Sequence, residues 1–206
     1  MNSGQFRLVA GLGNPGKKYS NNRHNVGFMA LDQFANKKGI RFQEKNKLFG
    51  ELATLTSNQK SIKLLKPNTF MNDSGRSIRA SLDWYGLNMS QLIVLVDDMD
   101  IPLGRLRIRS QGSSGGHNGL KSTINHLGSQ DFYRLRIGIG SPSENKEERK
   151  SKTISHVLGS FNPSESKILV QIIEEVLFCI DLFDQQNLEK ICTRINSFKP
   201  DLNKIK

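Results

Sequence analysis

An apolar run followed by a glycine-rich turn begins the chain and limits the folds open to it. Residues 6–12 are apolar enough for a buried strand. The turn after them satisfies the pattern G-x-G-x-x-G through Gly11, Gly13 and Gly16. Helical spacing of apolar residues begins only near Asn25 and runs to Lys38. A strand, a polar turn and a helix in this order predict the first unit of an α/β fold.

The glycine pattern is also the fingerprint of a dinucleotide-binding turn, and two features count against that interpretation. Pro15 lies where a phosphate cradle needs a free backbone N–H, which proline lacks. Asp32 lies inside the predicted helix, whereas the acidic residue of a dinucleotide fold ends the second strand. We therefore expect no cofactor. The alternative, a nucleotide-dependent oxidoreductase, predicts that NAD raises the melting temperature.

The rest of the chain continues the alternation of strands and helices. Residues 40–66 predict two or three strands with a turn near Asn58, and Ser74 is expected to cap a helix that stops at Gly86. Residues 92–96 form a short apolar run typical of a buried parallel strand. The remaining predicted elements are strands at 103–109 and 134–137, a helix at 118–126 and a long helix starting near Asn162.

These elements predict one α/β domain over residues 1–206, with a mixed, twisted β-sheet flanked by α-helices. We expect residues 141–155 to be a mobile charged loop and residues 199–206 to be a frayed tail. Cys179 and Cys192 lie in apolar helical patterns without metal-type spacing, which indicates buried thiols in a reducing compartment. No signal peptide or membrane span is evident, so we expect a cytoplasmic protein.

The formal net charge of +11 favours a polyanionic partner such as RNA. Arginines alternate with apolar residues in two of the predicted strands, so each strand would project its guanidinium groups from one face. They are Arg105, Arg107 and Arg109 in the first strand and Arg134 and Arg136 in the second. Such faces can simply be solvated, but two of them favour a phosphate-binding surface.

Polar residues at the ends of predicted elements are the candidates for chemistry. No serine elbow is present, and the acids at 97, 98 and 100 lack a phosphate loop or a distant carboxylate partner, so we expect no metal site. His24 supported by Asp97 would make a general base. Asparagine side chains both donate and accept hydrogen bonds, so Asn14, Asn72 and Asn118 suit substrate binding. Each has an ordinary alternative, because His24 can cap a helix, His117 can brace the glycine loop and asparagines favour turns.

Five segments together resemble, in order and spacing, the motifs of bacterial-type peptidyl-tRNA hydrolase. They are GLGNPGKKYSNNRHNVGF, KPNTFMNDSG, VDDMDIPLG, GSSGGHNGLKS and YRLRIGIG. The resemblance implies hydrolysis of the ester between peptide and tRNA, which recycles tRNA during translation, by a protein that we expect to be a monomer. The sequence departs from the family chiefly in a longer charged segment, Glu144 to Lys152, where relatives have a shorter lid-like connection.

The resemblance also assigns roles to particular residues. The catalytic residues are His24, its supporting Asp97, and Asn14, and no metal or cofactor takes part. Substrate contacts fall on Tyr19, Phe70, Asn72 and Asn118, and tRNA phosphate contacts fall on Arg109 and Arg136. Water activated by the histidine would attack the ester carbonyl. An alternative from another class is an RNA-binding protein without hydrolysis, because a chloroplast RNA-splicing factor is related to these hydrolases.

Overall fold

A mixed sheet of seven strands organises the computed structural model, which describes residues 6–57, 60–182 and 188–201. The strands are β1 (Leu8–Gly11), β2 (Gln43–Lys45), β3 (Gly50–Ser57), β4 (Lys60–Pro67), β5 (Leu92–Asp98), β6 (Leu106–Arg109) and β7 (Tyr133–Gly138). Their order across the sheet is β2-β3-β4-β1-β5-β7-β6. The four central strands are parallel, whereas β2, β3 and β6 pair antiparallel to their neighbours.

Helices cover both faces of the sheet. They are α1 (Val26–Lys38), α2 (Ser74–Tyr85), α3 (Asn118–Leu127), α4 (Lys146–Val157), α5 (Pro163–Leu182) and α6 (Leu188–Ser197). Successive strand residues point to opposite faces, so Val9 packs with α1 and α5 while Leu8 and Ala10 pack with α2 and α3. This architecture confirms the predicted single α/β domain with a mixed sheet. Within the described residues, no helix is long and apolar enough to cross a membrane.

The parallel strands β1 and β5 end side by side, and their carboxyl ends carry the polar loops. Parallel pairing places Gly11 opposite Leu95, two residues before Asp97. The chain leaving β1 does not enter a helix directly but forms two short 3₁₀ helices, Lys17–Tyr19 and Arg23–Asn25, before α1. Asp32 lies within α1, as the sequence predicts.

Two glycines bring α1 close to the strands. A Cβ on Gly27 would lie 2.5 Å from the Leu12 nitrogen and 2.6 Å from the Leu95 oxygen, and one on Gly11 would lie 2.4 Å from the Gly27 oxygen. No larger residue fits at either position without moving the backbone. The first glycine of the G-x-G-x-x-G pattern therefore serves helix packing in this chain.

Several local predictions need correction. Residues 146–157 form α4 and not a loop, because Asn145 caps the helix by accepting from the Glu147 and Glu148 N–H groups. The side chain of Ser74 does not cap α2; its hydroxyl donates to the Met71 carbonyl from the first helical residue. Near the predicted tail, Asp201 exchanges two hydrogen bonds with the Gln171 side chain, so residues up to 201 are held. Asn58 and residues 202–206 lie outside the described residues.

The two cysteines differ in burial. Cys179 is buried, and burial raises the pKa of its thiol to about 12. Cys192 is only half-buried, and burial raises the pKa of its thiol as well. Both are free thiols. The prediction of buried thiols is therefore correct for the first and too strong for the second.

Candidate active site

A histidine and an aspartate from distant parts of the chain meet at the carboxyl edge of the sheet. The Nδ1 atom of His24 lies 2.9 Å and 3.0 Å from the two carboxylate oxygens of Asp97. His24 comes from the second 3₁₀ helix after β1, and Asp97 lies near the end of β5. The pair that the sequence suggested is therefore formed, with the aspartate buried and the imidazole slightly exposed.

A second histidine shares the same carboxylate. The Nε2 atom of His117 lies 2.9 Å from Asp97 Oδ1. Its Nδ1 atom accepts hydrogen bonds from the Gly119 and Leu120 N–H groups at the start of α3. Because Nδ1 is an acceptor, the proton of His117 lies on Nε2 and is donated to Asp97. His117 therefore caps α3 and holds the carboxylate in place.

The electrostatics of Asp97 favour its ionised form. Burial alone would raise the pKa of this carboxyl, but the charges and hydrogen bonds of His117 and His24 outweigh burial and hold the pKa well below its usual range. An ionised Asp97 accepts a hydrogen bond from His24 Nδ1, which leaves Nε2 of His24 as a hydrogen-bond acceptor. The arrangement can take a proton from a water molecule.

Asn14 is fixed by Asn25, the residue that follows His24, and by Met71. Its backbone N–H donates to Asn25 Oδ1 at 3.0 Å, and its carbonyl accepts from Asn25 Nδ2 at 2.8 Å. Its side-chain Oδ1 accepts from the Met71 N–H at 2.8 Å. Since Oδ1 is engaged, the Nδ2 group supplies the donors that remain to Asn14. Such a rigid amide donor suits a carbonyl that gains negative charge.

The other predicted substrate residues differ in their position relative to His24 and in their exposure. Asn118 and His24 line the same cleft. Asn72 is exposed and follows Met71, whose N–H contacts Asn14. Phe70 is 60% exposed just before that point, which leaves its ring open to a ligand. Tyr19 lies half-buried in the first 3₁₀ helix with the Lys18 ammonium over its ring.

Two clefts flank the site. One, of about 140 Å³, is lined by the pair, by the glycine loop before α3 and by the α4 side chains Thr153, Ile154 and Val157. The other, of about 320 Å³, is lined by Asn14 and by the segments around Lys17 and Lys66. The helix α4, which the sequence predicted as part of a mobile charged loop, thus contributes a wall to the first cleft.

The side chains of His24, Asp97 and His117 lie close enough to be considered as metal ligands. The hydrogen bonds argue otherwise. A metal would need an unprotonated Nε2 on His117, which would place a proton on Nδ1 facing two backbone N–H donors. The donor set therefore fits a hydrogen-bonded triad better than a metal centre.

The arginines of β6 and β7 lie on one face of the sheet, but they differ in burial and in hydrogen-bond partners. Arg109 is exposed. Arg136 is half-buried, with Nη1 2.9 Å from Asp98 Oδ2 and Nη2 3.0 Å from the Ser113 carbonyl. Arg134 is fully buried, and its guanidinium donates to the carbonyls of Gly112, Gln130 and Phe132.

The prediction that the whole second arginine ladder is a phosphate-binding surface is therefore wrong for Arg134. Burial and the neighbouring Arg136 lower the pKa of its guanidinium to about 10. The Arg134 guanidinium instead donates to the Gly112 carbonyl, in the loop that leads to His117. Alternation in the sequence could not reveal this, because the burial comes from a loop 22 residues away.

Two residues of the site were not assigned a role there from the sequence. The sequence offers His117 as a polar residue beside Asn118 or as a brace for the glycine loop, and Asn25 as a helix start. For both, the available signal was adjacency to an assigned residue, since Asn25 follows His24 and His117 precedes Asn118. Only the fold shows that they hold Asp97 and Asn14.

The sheet and the His24–Asp97 pair define an α/β protein with a histidine–aspartate pair at the carboxyl edge of its parallel strands. A family model described as peptidyl-tRNA hydrolase matches residues 8–203. The chain belongs to the peptidyl-tRNA hydrolase family.

Individual relatives agree with this assignment. A peptidyl-tRNA hydrolase of Synechococcus sp. (strain CC9311) is 57% identical over 199 residues, which cover 97% of this chain and 96% of that protein. One of Prochlorococcus marinus (strain NATL2A) is 56% identical and covered in full. The crystal structure of peptidyl-tRNA hydrolase from Acinetobacter baumannii superposes with a TM-score of 0.88 at 33% identity, covering 98% of this chain and 100% of that one.

Proposed function

We propose that this protein hydrolyses the ester that joins a peptide to tRNA. The observation that carries the proposal is the His24–Asp97 pair, which leaves the Nε2 atom of the histidine as a base beside a cleft. Family membership over residues 8–203 supports the substrate class. The net charge of +11 suits a polyanionic substrate.

The proposed reaction is a single displacement by water. His24 Nε2 takes a proton from a water molecule as the oxygen attacks the ester carbonyl, and Asp97 stabilises the imidazolium that forms. The tetrahedral intermediate then expels the ribose oxygen of the tRNA, which receives the proton from His24. General-base assistance of this kind accelerates a reaction about 100-fold to 10,000-fold.

Three asparagines position the substrate in this proposal. Asn14 donates from Nδ2 to the oxygen that becomes negative, and it is rigid because Asn25 and Met71 hold its backbone and its Oδ1. Asn118 seats the water and the substrate in the cleft that it lines together with His24. Asn72 and the exposed Phe70 contact the peptide or the end of the tRNA, together with Tyr19.

Phosphate contacts complete the substrate site. Arg109 is exposed; its Nη1 donates to the Ile108 carbonyl at 3.0 Å, and its other guanidinium N–H groups can bind a phosphate. To bind a phosphate, Arg136 would have to break its ion pair with Asp98 or share its guanidinium between the two anions. We further propose that the protein acts as a monomer in the cytoplasm and needs neither metal nor cofactor.

One assay tests the function. The protein is incubated with N-acetylaminoacyl-tRNA and with free aminoacyl-tRNA, both with a chelator present, and the released tRNA is measured. We expect selective cleavage of the blocked substrate. Binding of both RNAs without release would favour an RNA-binding protein without hydrolysis, and release abolished by the chelator would refute the metal-free mechanism.

A further inference from the structure

Exposed aromatic rings lie beside cations on α2 and on the segment that precedes β3. Trp84 is 58% exposed and Phe49 is 36% exposed. The ammonium of Lys47 lies 5.1 Å from the centre of the Trp84 ring, and the guanidinium of Arg76 lies 3.8 Å from that of Phe49. We call these four residues the α2 aromatic surface.

Phe49 holds a strained backbone. Its φ of 50° and ψ of 40° lie in the left-handed region, which bulky residues rarely adopt. It is the one non-glycine residue with positive φ in the described part of the chain. Asparagine or glycine would satisfy this turn at lower cost, yet the chain keeps an exposed phenylalanine there. Strain retained for an exposed ring indicates a functional demand on that ring.

The charges around the rings favour an anionic partner. Lys47 and Arg76 both lie exposed. Of the acids on and before α2, Asp83 pairs with Arg79 at 2.9 Å, and Asp73 lies 3.9 Å from Arg76 at the limit of an ion pair. Protein interfaces enrich aromatic residues and arginine but deplete lysine. Aromatic rings alternating with lysine and arginine are typical of surfaces on which unpaired bases stack while cations hold the phosphates.

The surface is continuous with the candidate active site. The Phe49 carbonyl accepts the Asn68 N–H at 2.8 Å, and the exposed Phe70 follows two residues later. The next residue, Met71, donates to Asn14. Along α2, Arg76 and Trp84 are eight residues apart, which is about 12 Å of helix. An RNA chain that leaves the site beside Phe70 would next meet Phe49 and then Trp84.

We propose that the α2 aromatic surface binds RNA by stacking unpaired bases on Trp84 and Phe49. We identify this RNA as the tRNA portion of the substrate, and that identification rests on the proposed function. The binding of RNA itself does not require hydrolysis. The unpaired bases can come from the 3′ end of the tRNA or from one of its loops, which offer the same chemistry.

Trp84 is the single tryptophan of the chain, so its fluorescence reports directly on this surface. Deacylated tRNA is titrated into the protein while fluorescence and the anisotropy of a labelled tRNA are followed together. We expect quenching that saturates at the concentration where anisotropy saturates. Removing the 3′ CCA abolishes the quenching if the bases come from that end, and leaves it intact if they come from a loop. A blunt RNA duplex is expected to bind without quenching.

Variants provide an independent readout. Phe49→Gly removes the ring and relieves the strain, so the protein stays folded while its Kd for tRNA rises about 10-fold, which corresponds to about 1.4 kcal/mol of stacking. Trp84→Ala is expected to weaken binding by a similar factor. Phe178→Ala is the matched control, because Phe178 is 42% exposed on α5 with the Arg194 guanidinium 4.1 Å from its ring centre.

Three results would overturn the proposal. The first is saturation of anisotropy with no change in Trp84 fluorescence. The second is an unchanged Kd in both Phe49→Gly and Trp84→Ala, and the third is an equal loss of affinity in Phe178→Ala. Quenching by a protein partner with none by any RNA would assign the surface to that other class. Because deacylated tRNA is not hydrolysed, failure of the ester-hydrolysis proposal would leave this result readable.

Discussion

At the scale of single residues, the site depends on hydrogen bonds that fix which atom of each side chain is free. Asp97 accepts hydrogen bonds from both imidazoles, and the Asn25 side chain is hydrogen-bonded to the backbone of Asn14. His24 Nε2 and Asn14 Nδ2 are what these bonds leave available. The chemistry of the site is thus set by the partners of the reactive groups as much as by the groups themselves.

Replacing the proposed base tests this arrangement. We expect His24→Ala to lower kcat about 100-fold to 10,000-fold, because the proton acceptor is lost. The protein should stay folded, since His117 still donates a hydrogen bond to Asp97. His126→Ala, on the exposed side of α3, is the control for removing a histidine. Near-normal turnover in His24→Ala would end the assignment of the base.

The stability of the fold should depend on pH through Asp97. Because the pKa of its carboxyl is depressed in the folded state, the ionised form contributes stability that is complete above the unfolded pKa of about 4 and is lost as pH falls toward the folded pKa. Asp97→Asn should be less stable at pH 7 and should lose part of this acid dependence. Urea unfolding between pH 7 and pH 3 measures both, and parallel curves for the two proteins would contradict the prediction.

At the scale of elements, close packing of α1 on β1 and β5 delivers the loop that carries His24. The approach requires Gly27, where a Cβ would meet backbone atoms of Leu12 and Leu95. Backbone cannot move aside as a flexible side chain can. The position of the catalytic loop is therefore coupled to the packing of the helix that follows it.

A methyl group at this contact should be costly. We expect Gly27→Ala to lower the free energy of unfolding by about 1–3 kcal/mol, the usual range for overpacking, despite the higher helix propensity of alanine. Lys37→Ala, exposed on the same helix, is the control and should be nearly neutral. Chemical denaturation measures both, and a stabilised Gly27→Ala would show that α1 can move away from the strands.

At the scale of the whole molecule, exposed arginines lie at both edges of the sheet. Arg107 and Arg109 are exposed on the edge strand β6, and Arg41 is exposed near the opposite edge strand β2. If tRNA phosphates lie along the β6 edge, charge there affects binding more than the same charge elsewhere.

The salt dependence of binding separates the two edges. We expect Arg109→Ala to raise the Kd for tRNA and to reduce the slope of log K against log salt by about one unit, because one phosphate contact is lost. Arg41→Ala should leave the slope unchanged. Equal slopes for wild type and Arg109→Ala would remove Arg109 from the phosphate site.

The sequence by itself determined most of the order of strands and helices, the single α/β domain and the five motifs, because periodicity and turn chemistry are carried by neighbouring residues. Only the tertiary structure decided that Arg134 is buried, that His117 shares Asp97 and that residues 146–157 form a wall of the cleft. Burial and hydrogen-bond partners depend on what distant segments pack against a residue, and local pattern does not contain that information.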